Sequence, residues 1–181
     1  MISGGTRPKH LRNISTWLPY IMLRLLLLLS LPLYILDQWS KLYIVKHYEL
    51  NAHESTIIDG FFWIHHTANT GVAFGMGNGE WWSNWVFGAI SLTAAVAITI
   101  MWKKGVFPGA MSRTAAGLLY AGIAGNFTDR MLHGYVVDFL KFDLRFMIWP
   151  SFNVADACVV SAAILLGTSS FFEKPPESVK A

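Results

Sequence analysis

The stretch GNFTDRMLHGYVVDFL, residues 125–140, sets Asn126, Asp129, Arg130 and Asp138 beside a run apolar enough to approach a membrane span. Ionisable groups next to hydrocarbon are costly unless they are paired, hydrated or used, so the cluster asks for a purpose. Similar groups recur along the chain: Asp37 with Lys41 in DQWSK, Asn69 to Gly75 in NTGVAFG, and Asn153 with Asp156 in FNVAD. Carboxyls, amides and bases gathered at one level are the materials of acid–base catalysis or of a proton path.

Each group also has a purely structural reading. Asp37 and Lys41 are four residues apart and form a helical ion pair worth a few tenths of a kcal/mol, as an exposed pair would. Asp129 and Arg130 suit an interface wetted by water. NVAD, 153–156, fits a helix N-cap with an acid at the third position, and Asn69 fits a turn. Asp138 is harder to explain this way, because YVVDFL sets an acid among strongly apolar neighbours.

The elements that would carry these groups are membrane spans. The chain is 54% hydrophobic and 14% charged, with a mean hydropathy of +0.42, whereas soluble domains are about 25% charged. Segments 17–36, 82–102 and 152–172 are apolar over the roughly 20 residues a crossing needs. A weaker fourth, 110–128, is rich in Ala and Gly; Gly117, Ala121 and Gly125 recur on one helix face, which suits close packing at the centre of a bundle. The first span follows a basic leader but is followed by DQWSK rather than a small-residue cleavage site, so a retained helix is expected. Lys and Arg prefer the cytoplasmic side. Both termini therefore belong inside, with Arg7, Lys9, Arg12, Lys103, Lys104, Arg113, Lys174 and Lys180 against Glu173 and Glu177. The polar groups then meet at the outer face. Residues 40–81 contain STII and GFFWIHH, which have strand character, so a small β-rich extramembrane element is expected, and HGYVVDFLKFDLRFMIWPS reads similarly, with Pro150 punctuating it. The ends, 1–16 and 174–181, are polar tails around a single membrane domain, 17–173. The single cysteine, Cys158, forms no intrachain disulfide. No basic–aromatic pattern marks a nucleic-acid surface. His65 and His66 have no Cys or His at a zinc-like interval, so no metal or cofactor is expected.

DQWSK, NTGVAFG, GNFTDR, GYVVDF and FNVAD together resemble, in order and spacing, the motifs of the lipoprotein signal peptidases, the bacterial type II signal peptidases. The resemblance runs from about residue 17 to 172 and departs from the usual pattern at Ala121, Phe127 and Trp149. It implies an all-α membrane protein with four transmembrane helices and a small periplasmic β-rich cradle, in the bacterial inner membrane. The implied reaction is aspartyl endopeptidase cleavage of a prolipoprotein just before a diacylglyceryl-modified cysteine, and the implied inhibitor is globomycin. Carried over position by position, the catalytic pair falls on Asp138 and Asp156. Supporting positions fall on Asp37, Lys41, Asn69, Gly71, Ala73, Gly122, Asn126, Asp129, Arg130 and Asn153. Two carboxyls sharing one proton can hydrolyse a peptide, the ionised one taking a proton from water and the protonated one donating to the carbonyl oxygen. Asp138, among apolar side chains, is expected to hold the proton. Membrane lipids are the expected surroundings, since acyl chains on the substrate stay in the bilayer. A small transporter with an acid relay is a rival class, but its acids should occupy more than one level. A scaffold whose polar groups only cap and pair is another, and it would tolerate Asp138→Asn.

Overall fold

The structure, a computed structural model, describes residues 18–71 and 82–173; the polar tails, Trp17 and the stretch 72–81, with Ala73 in it, lie outside the described residues. Among the described residues there are four helices: α1 (Leu18–His47), α2 (Ser83–Lys103), α3 (Ala110–His133) and α4 (Val154–Phe172). Strands β1 (Ser55–Ile58) and β2 (Phe62–Asn69) lie between α1 and α2, and β3 (Val136–Asp143) and β4 (Ile148–Phe152) between α3 and α4.

Helix α1 runs 11 residues beyond the expected end at Leu36, so Asp37 and Lys41 lie within the helix rather than after it. Charges interrupt a span only when nothing neutralises them, and here the two pair across one turn in a buried position. Its turns over Leu26–Ser30 widen to a π-helix just before Pro32. Proline lacks the N–H for the carbonyl four residues back and its ring crowds that carbonyl, and a locally wider turn relieves both. Helix α3 likewise continues past 128 through Asp129 and Arg130 to a left-handed Gly134 (φ 77°) that closes its end.

Among the described residues three helices, α1, α2 and α4, are long and apolar enough to cross a membrane, with mean hydropathies of 1.9, 1.8 and 1.7 over their best windows. Helix α3 is not among them, although its 24 residues are sufficient in length. Its small residues allow close contact on two sides. Ser30 donates to the Gly117 carbonyl at 2.7 Å from α1, and a Cβ on Gly125 would strike the Asp37 carboxylate of α1 and Ala155 of α4. A Cβ on Gly122 would lie 2.5 Å from the Ala155 carbonyl and 2.6 Å from Val159 of α4. The Gly/Ala stripe thus makes α3 the helix against which the others pack.

The strands form one antiparallel sheet in the order β1-β2-β3-β4. Thr67 lies opposite Asp138, and Asn69 opposite Val136. Pro150 does not end a loop, as its position suggests in the sequence; it lies within β4, an edge strand where a missing N–H is tolerated. Val137 and Phe139 of β3 pack with Ile44 of α1 in a cluster that also holds Val154 and Tyr48, which fixes the sheet against the helix ends.

Candidate active site

Two acids meet where β3 and the start of α4 come together. Asp138 is buried in the middle of β3's apolar run, and Asp156 stands half-buried in the first turn of α4. Asn153 joins them. Its backbone is extended (φ −132°), its side-chain oxygen accepts from the Asp156 amide at 2.8 Å, and its own amide N–H reaches Asp156 Oδ2 at 3.3 Å. The capping reading is therefore correct, and the same residue does more: Asn153 Nδ2 donates to Asp138 Oδ1 at 2.7 Å. A second amide, Asn126 on α3, donates to Asp156 Oδ1 at 2.7 Å. A third, Asn69 at the end of β2, donates to Asp138 Oδ2 at 3.0 Å while its oxygen accepts from Gly71 N at 3.0 Å. Asn69 is both a turn residue and a neighbour of the acid.

Burial, first, and the charge of Asp156, second, push the Asp138 carboxyl up to about 7, while the Asn69 and Asn153 amides and Lys41 pull it back. A carboxyl that hovers near neutrality while a second one stands beside it is suited to proton exchange.

Behind the acids lies a fully buried ion set. Lys41 Nζ lies 2.8 Å from Asp37 Oδ2 and 3.0 Å from Asp129 Oδ2. The expectation of wetted interfacial charges fails for Asp129, which is 2% exposed. Both carboxylates also hold backbone amides: Asp37 Oδ1 accepts from Ala155 N at 2.8 Å, and Asp129 Oδ2 from Val137 N at 3.0 Å. The first satisfies an otherwise orphaned amide at the start of α4. The second ties β3 to α3 next to Asp138.

Arg130, on the same helix as Asn126, packs its guanidinium over the Phe87 ring and donates to the Gly71 carbonyl at 3.1 Å and to the Asn126 carbonyl at 3.3 Å. It thereby holds the backbone at Gly71, two residues after Asn69. Gly122 contributes through the close contact of α3 with α4 described above. Of the sequence-named residues, all but Ala73 are described and converge at this end of the helices.

Residues that the sequence did not single out also take part. Gln38 Nε2 lies within 3.0 Å of Asp129 Oδ1 and 3.2 Å of both Asp37 Oδ2 and the Gly125 carbonyl. Thr67 donates to the Asp138 carbonyl at 3.3 Å, and Asn84 of α2 to the Arg130 carbonyl at 3.0 Å. Gln38's place inside DQWSK is a signal for it; Asn84 has none, since its partner is on another helix. Among the described residues, no group of three or more His, Cys, Asp or Glu side chains is placed to hold a metal ion. Apolar hollows of about 490 and 340 Å³ lie elsewhere, one lined by Phe107, Leu166 and Glu173, the other by Tyr34, Tyr120 and Phe127, and neither is lined by the acids.

Comparison with known proteins places the chain among relatives of one kind. The model of the family described as signal peptidase (SPase) II matches residues 29–172. A lipoprotein signal peptidase from Psychromonas ingrahamii is 35% identical over 165 residues, covering 91% of this chain and 88% of the relative. One from Xanthomonas euvesicatoria pv. vesicatoria is 37% identical over 161 residues, covering 82% and 86%. A solved structure described as a bacterial membrane enzyme superposes with a TM-score of 0.72 at 28% identity, over 83% of this chain and 92% of that one.

Proposed function

The chain belongs to the signal peptidase II family, and from that premise we propose that it is a membrane aspartyl endopeptidase that cleaves diacylglyceryl-modified prolipoproteins just before the lipidated cysteine. The observation that carries the aspartyl reading is the pair of linked amides on the two carboxyls: Asn153 Nδ2 donates to Asp138 Oδ1 and to Asn126 Oδ1, and Asn126 Nδ2 donates to Asp156 Oδ1. With one proton between the two carboxyls, the ionised one removes a proton from water as the oxygen adds to the scissile carbonyl carbon. The protonated one donates to the carbonyl oxygen, giving a tetrahedral diol. Its collapse breaks the C–N bond as one carboxyl gives its proton to the leaving nitrogen and the other takes a proton from a diol hydroxyl, so the pair regains its single shared proton. Asn69, Asn126 and Asn153 supply donors that hold the carboxyls in place. Arg130 holds the backbone at Gly71, and Ala73 is a further substrate-side position by its place in the same motif; Asp37, Lys41 and Asp129 brace the helix ends; and Gly122 lets α3 and α4 approach.

The same proposal makes α3 the fourth transmembrane helix of a single membrane domain, 17–173, in the bacterial inner membrane. The sheet is then a periplasmic cradle, the acids lie at the periplasmic face, and both tails lie in the cytoplasm. A site at that level suits a substrate whose acyl chains stay in lipid and whose scissile bond lies just outside it. Globomycin is the expected inhibitor.

The test is cleavage of a diacylglyceryl-modified prolipoprotein peptide in detergent by the wild type, D138N and D156N, with and without chelator. Cleavage by wild type alone, unchanged by chelator and reduced at least about a thousandfold in both variants, is expected. Turnover surviving in either folded variant would overturn the dyad.

A further inference from the structure

We propose that Lys41 is a positioning residue for this hydrolysis: its ammonium fixes the Asn126 amide in the one orientation that directs an N–H, not an oxygen, at Asp156. The inference rests on Asp138 and Asp156 being the catalytic pair.

An ammonium has three donors and accepts nothing, while a primary amide is almost the same shape with its oxygen and nitrogen exchanged. Lys41 is 2% exposed, and its three hydrogens have three acceptors: Asp37 Oδ2 at 2.8 Å, Asp129 Oδ2 at 3.0 Å and Asn126 Oδ1 at 3.1 Å. Because it can only donate, it captures the amide oxygen and turns Nδ2 onto Asp156 Oδ1, 2.7 Å away. Asn153 Nδ2 also approaches Asn126 Oδ1, at 3.1 Å, but its two hydrogens are shared with Asp138 Oδ1 at 2.7 Å and the Val137 carbonyl at 3.3 Å. Lys41 is the undivided donor.

The orientation matters because an amide N–H favours an ionised carboxyl, whereas an amide oxygen there favours a protonated one. Without the ammonium, a reversed Asn126 would keep a proton on Asp156 while Asp138 keeps its own, leaving no base for water. The charged groups facing the pair are Asp37 and Lys41 from α1 and Asp129 and Arg130 from α3, with Asp138 itself on the sheet; among them Lys41 alone joins the buried carboxylates to the amide.

The test compares K41M/D129N with K41Q/D129N. Each removes one positive and one negative charge, and Met and Gln are nearly isosteric, but only Gln can donate to Asn126. The Gln variant, with fewer donors and a shorter side chain, is expected to fall below wild type but to keep at least about tenfold more kcat than the Met variant. The Met variant is expected to lose about a hundredfold in kcat with KM within about threefold, and the acid limb of its kcat–pH profile should move up by about one unit. Building the same pair on D37N repeats the comparison where neutralising Asp129 costs the fold, and thermal melting reports the folded fraction throughout. Equal kcat and equal pH profiles for Met and Gln would overturn the proposal. A folded wild type that cleaves nothing, or an active D138N, would instead sink the reading of the dyad.

Discussion

Asp138 keeps its proton to a pH at which an ordinary aspartate has long lost it, because burial and then the charge of Asp156 raise it to about 7. The unfolded chain releases that proton near pH 4. Between about pH 4 and 7 the folded state therefore binds more protons than the unfolded state, so stability falls as pH rises through that window. The loss is complete above about pH 7, with an upper bound of about 4 kcal/mol. D138N keeps the shape and removes the ionisation, so its melting temperature in detergent is expected to exceed that of wild type by more at pH 8 than at pH 4. The same gap at both pH values would mean that ionisation of Asp138 does not govern stability. At this scale the sequence was legible where an anomaly is local. An acid inside YVVDFL stands out, and NVAD announces a cap whose two side chains the structure finds hydrogen-bonded across the N-terminus of α4. Gln38 was marked only by its place inside DQWSK, and Asn84 was not legible as a site residue at all, since its partner lies 46 positions away on another helix.

Helix α3 has to be thin, because it carries Asn126, Asp129 and Arg130 while lying against α1 and α4 at once. Gly122 is the point where α3 comes closest to the backbone of α4. An added methyl would meet the Ala155 carbonyl and Val159 at 2.5 and 2.6 Å, and a backbone carbonyl cannot swing away as a side-chain tip does. Gly122→Ala is expected to cost about 1–3 kcal/mol. It should also lower kcat by about a hundredfold, since a shift of about 1 Å between α3 and α4 separates Asn126 from Asp156. Gly105→Ala is the contrast. That glycine has φ +72° with open space around it, far along the helices from the acids, so the change should cost about 1 kcal/mol through backbone strain and leave kcat unaltered. Melting curves and turnover of the two variants check this, and a G122A enzyme with wild-type kcat would show that the α3–α4 spacing does not set the site. The Gly/Ala stripe was readable as a packing face, and the Leu-rich and aromatic-flanked runs as α1, α2 and α4. Helix through Asp37 and Lys41 was readable as an ion pair four residues apart, but its burial was not, because burying an acid and a base depends on a third partner, Asp129, supplied by another helix.

The connectivity of the whole molecule bears on whether α3, which its hydropathy does not mark as a span, crosses the membrane. Strands β2, before α2, and β3, after α3, are hydrogen-bonded neighbours, with Thr67 opposite Asp138. The chain leaves the sheet along α2, an apolar helix of 21 residues, and must return to the sheet before β3 begins. Helix α3 makes the return. Its 24 residues span about 36 Å, enough for a hydrocarbon core of about 30 Å. Its Ala and Gly cost it hydropathy, but their contacts are with α1 and α4, so it needs less lipid-facing apolar surface than a helix at the rim. Lys103, Lys104 and Arg113 lie around the far connection, consistent with a cytoplasmic side opposite the sheet. Single cysteines at Asp59, Lys104 and Arg145, all exposed, in a chain whose native Cys158 is replaced by Ser, separate the alternatives in spheroplasts treated with a membrane-impermeant maleimide. Cysteines at 59 and 145 should be labelled in intact spheroplasts and the one at 104 only after permeabilisation. Labelling at 145 that follows 104 rather than 59 would mean that α3 does not cross, and would also set β3, with Asp138, on the wrong side of the membrane for a substrate cleaved at the outer face.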